Sequence, residues 1–468
     1  MSNPILRLGI LGASETIQTT ILPILASLKT HFKLTIIYDQ NGSVAKHCQK
    51  EFNITHSTTS TQELLSHPEV DLVLNLLPFE YHEQYTIAAL EAGKHVMVEV
   101  PLSLSVNGLR LIRKATAKGL DVRSNHSTNN DTIYNPPKVF VGCARRYAPC
   151  FTDVFKKELA NLGRVYYARC RNISGPLRIS ALQQASVNGT NGSSLNGDGN
   201  GDDLTGQNGA TNGHGDDNVT KDTNNAIPIT STEHFNALLT DIFGAEDLTP
   251  DRVAFCRFLG NMGCHDLSLM RESLGTPDAV ANVAITDPFY STIFHYTDSE
   301  SICGPSGEGY PFTVMYETGV GSVPSCDAHL TVYGATKTIS VEYDVPSLAR
   351  PVSPDGGGQV KVIIEELESE DKHSDENGNG SANGNGVSNG NGVLYRPRVK
   401  RTEYVSSLAE SYEREFMAMH SYLNRGYQTG TGAEAKTTAN DALMDLRLLN
   451  MIFEHYDRQC GTIRTPLG

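Results

Sequence analysis

No run of about 18 apolar residues occurs in the 468-residue sequence, so no segment reads as a membrane-spanning helix. No cluster of lysine and arginine stands against the formal net charge of −15, which argues against binding a nucleic-acid phosphate backbone. None of the nine cysteines forms a C-x-x-C pair. Cys143 and Cys150 are the closest two, and no second pair stands ready to complete a zinc site. Reduced, mostly buried thiols and no metal are therefore expected. A charged n-region followed by a long apolar h-region is also missing, because the chain enters a strand-like "ILRLGILGAS" at once. These absences together predict a cytoplasmic protein with no membrane and no nucleic-acid partner.

The hydrophobic fraction of 39% is low for a compact chain of this length, and the 42 glycines explain part of it. Many lie in two Asn/Gly/Ser/Asp-rich segments, 186–225 and 369–393, which cannot bury enough apolar area to offset their ordering entropy. Both are expected to be disordered insertions. Residues 1–125 alternate apolar runs with helical stretches: "LRLGILGA", "FKLTIIYDQ", "VDLVLNLLP" and "HVMVEV" read as strands buried on both faces. With right-handed crossovers this predicts an α/β Rossmann-type N-terminal domain. Residues 126–468 carry half-alternating strands, among them "KVFVGCARRY", "PFTVMYE", "AHLTVYG" and "KVIIEEL". Helices there are fewer, chiefly "CHDLSLMRESLG" and the stretch from Tyr404 to His455. The second region is thus expected to be an α+β domain with a large, mainly antiparallel sheet. Its alternating strands leave one face free for packing or for a homodimer.

The turn "GILGASETI" follows the first strand, where a dinucleotide fold places its Gly-rich fingerprint. Only Gly12 of that fingerprint is present, with Ser14 and Ile17 at the other two glycine positions. Ser14 either bonds a phosphate oxygen or caps the helix. Asp39, ending the second strand, suits the ribose hydroxyls of NAD and repels the extra phosphate of NADP. A strand-end turn aspartate in "YDQNG" is the alternative.

Four later blocks occur in order: "VDLVLNLLPFEYH", "ALEAGKHVMVEVPLS", "VFVGCARRYAPCF" and "GCHDLSLMRESLG". The sequence resembles the Gfo/Idh/MocA family, the glucose–fructose oxidoreductase and inositol dehydrogenase-like proteins, over nearly all of the chain outside the two insertions. "YGATKTISVEYDVP" and "KTTANDALMDLRLL" are similar to its fungal-type branch. The resemblance implies NAD, with NADP as the alternative, in the first domain and a small polyol, sugar or related substrate between the domains. It assigns Gly12, Ser14 and Asp39 to the pyrophosphate and ribose, and Pro78, His82, Glu99, Pro101 and Arg146 to the rest of the cofactor site. His265 takes the place of the histidine that polarises or deprotonates the substrate hydroxyl, and Asn261 that of an aspartate. On its own, a histidine near a helix start also reads as a cap or an interface filler. Tyr310, Tyr316 and Tyr343 are further acids by type, although tyrosines on sheet faces usually serve the core or rim.

The departures concern proton handling. Val100 stands where the family has the lysine of E-K-P, and Ser268 where it has the second aspartate of H-D-x-D. Oxidising an alcohol requires its hydroxyl proton to leave as the hydride departs, and a valine side chain moves no proton. Three functions remain open. They are an NAD(P)-dependent oxidoreductase using His265, a catalytically inactive cofactor sensor, and a hydrolase that retains its NAD.

Overall fold

The computed structural model describes residues 4–125, 136–175, 231–244, 248–297, 310–323, 325–344, 358–368, 398–424 and 436–460. Both expected insertions lie outside these residues.

Strands β1 (Leu6–Leu11), β2 (Phe32–Tyr38), β3 (His56–Thr58), β4 (Leu72–Asn75), β5 (His95–Glu99) and β6 (Val139–Gly142) form a six-stranded sheet in the order β3-β2-β1-β4-β5-β6. Every pairing is parallel. Helices α1 (Leu22–Ser27), α2 (Gly42–Glu51), α3 (Thr61–Ser66), α4 (His82–Glu91) and α5 (Val106–Asn125) make the crossovers. The strands are short and apolar because both faces are covered, as with β4 and β6, in which every residue is buried. From β1 the chain goes to β2 on one side and later to β4 on the other. That reversal opens a crevice beyond the carboxyl ends of β1 and β4.

The second sheet has eight strands: β7 (Tyr167–Ser174), β8 (Ala279–Thr286), β9 (Phe289–Tyr296), β10 (Phe312–Val320), β11 (Cys326–Tyr333), β12 (Lys337–Tyr343), β13 (Gln359–Leu367) and β14 (Val399–Ser407). Their order is β14-β13-β12-β11-β7-β10-β9-β8, antiparallel except for β7 against β10. Buried residues alternate along β7 and β9. The covered face packs on α6 (Lys156–Ala160), α7 (Ser231–Phe243), α8 (Pro250–Phe258) and α9 (Cys264–Leu274). Of the last two helices, α10 (Leu408–Asn424) and α11 (Ala439–Cys460), α11 joins that core through Leu448, Leu449, Ile452 and Phe453.

Three boundaries depart from the sequence expectation. The helix expected from Tyr404 to His455 begins only at Leu408, because Tyr404 pairs with Val362 at the edge of the large sheet. The strand read in "KVFVGCARRY", expected in the second domain, is β6, the last strand of the parallel sheet. Finally, α10 packs back on the first sheet: Phe416 and Met419 share a core with Leu8, Ile10, Met97 and Phe140. Each of these depends on long-range pairing, which local pattern does not encode.

Candidate functional site

The crevice is built from strand ends. β1 ends at Gly12, which has φ +100°, and a Cβ there would come within 3.0 Å of the Leu76 carbonyl oxygen. Left-handed geometry and close approach both demand glycine. Gly12→Ala is expected to cost about 1–2 kcal/mol, read as a lower denaturant midpoint at unchanged slope. Ser14 is exposed, and its carbonyl accepts the first helical bond, from Gln18 N–H at 3.0 Å. The turn thus presents a helix start beside a bare backbone, the local form that accommodates a pyrophosphate.

Asp39 lies beside this turn. Its carboxylate accepts from Ala13 N–H at 3.1 Å and from Asn41 N–H at 2.8 Å. It therefore tightens its own turn and also joins β2 to the glycine turn, leaving lone pairs for ribose hydroxyls.

Pro78 is exposed at the end of β4, next to the buried Phe79–Tyr81 turn. His82 is fully enclosed, its Nδ1 2.9 Å from the Pro101 carbonyl oxygen and its Nε2 2.9 Å from that of Leu77. Lodged between the two carbonyl oxygens, the ring ties the β4 loop to the β5 loop, with its single N–H when neutral given to one of them at a time. Burial lowers its pKa. The Val100–Pro101 bond is cis, and Val100 N–H donates to the Gly142 carbonyl at 3.0 Å. The Val100 side chain is buried in an apolar pocket with Cys264, Leu267, Ala442 and Leu446, with about 10 Å³ left free. Glu99, one residue earlier, is half-buried, and desolvation pushes its carboxyl up to about 7, with Arg145 opposing.

The opposite wall comes from the second domain. A π-helical turn, Leu259–Gly263, runs into α9. Gly260 lies so close to the Phe79 ring that a Cβ would overlap it, and this contact presses the turn against the β4 loop. Asn261 is exposed on that turn. His265, in the first turn of α9, is half-buried, and no hydrogen bond to its ring occurs among the described residues. Burial, then Arg145 and His82, lower its pKa to about 3, so the ring is neutral near pH 7.

Sequence reasoning chose Arg146 for the cofactor site, but its side chain turns away from the cleft. Only 2% exposed, it gives Nε to Glu272, Nη1 to Ser268 Oγ at 3.0 Å and to Asp441 at 2.5 Å, and Nη2 to the Lys436 carbonyl at 3.0 Å. Arg145 reaches the site instead. Its Nη1 donates to Asp266 at 2.8 Å and its guanidinium lies 4.2 Å over the Tyr343 ring. Asp266, wholly buried, also accepts from Asn172 Nδ2 at 2.9 Å and from the Tyr343 hydroxyl at 2.9 Å. Tyr343 is therefore committed to Asp266, and Tyr316 is buried beside Gly263. Tyr310 is exposed, with Arg164 over its ring. The adjacent arginines in "CARRY" hid the choice, because a 3₁₀ turn over Ala144–Tyr147 decides which side chain faces the cleft.

Residues 6–126 match the GFO_IDH_MocA model, described as "Oxidoreductase family, NAD-binding Rossmann fold". The match is confined to the first domain. 1,5-Anhydro-D-fructose reductase of Ensifer adhaerens is 27% identical over 150 residues, 32% of this chain and 44% of that protein. The dTDP-3,4-didehydro-2,6-dideoxy-alpha-D-glucose 3-reductase of Streptomyces violaceoruber is 30% identical over 130 residues, 28% of this chain and 37% of that protein. Each match spans less than half of the relative's length. Likeness of fold extends further. A 3-ketoreductase of Actinomadura kijaniata, in complex with NADP and TDP-benzene, aligns over 96% of this chain and 98% of its own, with TM-score 0.55 and 12% identity.

The Gfo/Idh/MocA-type Rossmann domain accounts for the glycine turn, the strand-end aspartate and the crevice, which fit an NAD(P) nucleotide. Among the described residues no group of three His, Cys, Asp or Glu could hold a metal ion, and no helix is long and apolar enough to cross a membrane. Cys48, Cys143, Cys150, Cys170, Cys256, Cys264 and Cys326 form no disulfide, and all of these but Cys326 are buried.

Proposed function

We propose that the chain is an NAD(P)-dependent oxidoreductase acting on a small hydroxylated or carbonyl compound of the polyol or sugar type. The observation that carries this is the placing of His265, half-buried in the first turn of α9 with no hydrogen bond to its ring among the described residues, on the segment that the contact of Gly260 with Phe79 brings to the β4 loop. Gly12 and Ser14 hold the pyrophosphate and Asp39 the ribose, while Pro78, Glu99 and Pro101 frame the nicotinamide half with His82 as their brace. A nicotinamide held there would supply or accept the hydride. His265 takes the hydroxyl proton in oxidation and in reduction passes on one drawn in through the cleft, and Asn261 and Arg145 orient the substrate oxygens. The two relatives named as sugar-type reductases support carbonyl reduction as the working direction.

Titration with NADH and NADPH, followed by nicotinamide fluorescence, is expected to show saturable binding, tighter for NADH because Asp39 repels a 2′-phosphate. A panel of sugars and polyols then reads turnover. Failure of both nucleotides to bind would refute the reading.

Val100 favours a second reading, a cofactor-binding regulatory protein without turnover. Its pocket has no room for a lysine chain. Asp445 borders the pocket with an unpartnered buried Oδ2, while its Oδ1 accepts from Arg271 at 2.6 Å. Val100→Lys is therefore expected to cost about 3 kcal/mol through overpacking and desolvation of the ammonium, read by thermal unfolding, and to bring no activity. A lysine variant that folds normally and turns over a substrate on which the natural protein is inert would establish the regulatory reading.

A further inference from the structure

Helix α10 buries an acid beneath the parallel sheet. Glu415 is 0% exposed; its Oε1 accepts from Cys143 N–H at 2.5 Å, and its Oε2 has no partner. The cleft acid Glu99 is next to it. In the β5–β6 ladder Glu99 lies opposite Gly142, and a Cβ on Gly142 would stand 3.4 Å from Glu415 Oε1. By the strand period of two, Glu99 points to the same face as Met97, which shares a core with Phe416 and Met419 of α10.

The charged neighbours do not neutralise this pair. Arg145 is bonded to Asp266, Arg146 to Glu272 and Asp441, and Lys436 to Glu272. Cys143 and Tyr147 approach from the segment after β6, and Tyr412 from α10 itself. Helix α1, also packed on α10, brings no titratable side chain. Two carboxylates enclosed without a bonded cation do not both ionise at neutral pH. In keeping with this, burial and then Glu99 push Glu415 up to about 8.

We propose that Glu415 and Glu99 hold one proton between them, and that this pair is the proton store of the site in place of the missing lysine. The role rests on the oxidoreductase reading. Carbonyl reduction consumes a hydride, from the nicotinamide, and a proton. The one proton passes from Glu415 Oε2 to Glu99 as the O–H bond on Glu415 breaks and one forms on Glu99. That bond breaks in turn as the proton moves into the cleft and on to the oxygen of the reduced carbonyl, and solvent then returns one proton to the pair through the cleft. Glu415 touches neither substrate nor cofactor and acts only through Glu99.

Infrared difference spectra of the full chain, with and without Glu415→Gln, test the pair with no nucleotide present. The natural protein is expected to show the carbonyl stretch of a protonated carboxylic acid with a component that fades as pH rises through about 8, and Glu415→Gln to lose that component. Glu99→Gln, measured in parallel, is expected to move the fading to lower pH, since the repulsion is gone. Absence of the band in the natural protein, or a band untouched by either variant, would overturn the pair. For the store, the alkaline limb of kcat/KM is expected to shift down by about one pH unit in Glu415→Gln, about a tenfold rate loss on that limb. An unmoved pH profile would overturn the store even with the band present. A normal band in a protein that binds no nucleotide would refute the oxidoreductase reading and the store, and leave the pair standing.

Discussion

Replacing His265 by alanine is expected to lower kcat by about 10²–10⁴-fold while NADH binding stays close to that of the natural protein. The size of the loss follows from what else stands nearby. Val100 moves no proton, Asn261 exchanges none, and Arg145 stays charged at every accessible pH. His265 is then the one group at the α9 side of the cleft that can take the hydroxyl proton as the hydride departs. Burial, Arg145 and His82 hold its ring neutral down to about pH 3, so the kcat/KM profile should show no inflection near the ordinary imidazole value of about 6.5. His265→Gln separates two roles, since glutamine keeps a hydrogen bond but takes no proton. Recovery of most of the activity in that variant would make His265 an orienting group instead of a base. Stopped-flow measurement of nicotinamide absorbance supplies kcat, and fluorescence titration supplies the binding constant.

Arg146→Ala is expected to destabilise the fold by about 3–5 kcal/mol, the usual cost of breaking a buried ion network from one side. The substitution leaves Glu272, whose side chain is 6% exposed, with only Lys156 and Lys436 on its Oε1 and nothing on the oxygen that Arg146 bonded, and it removes donors from Ser268, Asp441 and the Lys436 carbonyl. Because the guanidinium serves four partners in one plane, Arg146→Lys should recover little of the loss. The network also has a pH signature. Burial alone would raise the Glu272 carboxyl, but Arg146, Lys436 and Lys156 overcome it and hold it at about 2. A depressed carboxyl pKa stabilises the fold fully above the ordinary value of 4.5, and the contribution is lost as pH falls through about 2. Thermal unfolding of the natural protein should weaken across that window, and the variant should show a flatter dependence there. Equal stability of Arg146→Ala and the natural protein at pH 7 would mean that the network contributes nothing.

The candidate site divides by how far each residue's environment reaches along the chain. Gly12 and Asp39 were legible because a strand, a turn and a helix start are local. The same pattern that makes β1 and β2 places both residues at carboxyl ends of neighbouring strands. Pro78, Glu99 and Pro101 were legible for the same reason, each at or just beyond the end of an apolar run. Arg146 was misplaced by one position, because "CARRY" offers two arginines and only the turn after β6 orients them. His82 was picked as part of the site, but its bonds to Leu77 and Pro101 make it a brace. Glu415 had no local signal at all. It is one acid among several on an amphipathic helix, and its hydrogen bond to Cys143 joins residues 272 positions apart.

The sequence by itself determined the Rossmann domain, the placing of Gly12 and Asp39 at strand ends, the lack of a long apolar run and a valine, not a proton carrier, at position 100. All of these follow from periodicity, from residue type or from motifs of a dozen positions. Tertiary structure alone decided that α10 returns to cover the first sheet, that Arg146 is tied to Glu272 and Asp441 while Arg145 bonds Asp266, and that Glu415 is buried with one oxygen bonded to Cys143 N–H and the other without a partner. The physical reason is desolvation. A side chain's charge state and donors depend on which distant segments exclude water from it, and no local pattern records that.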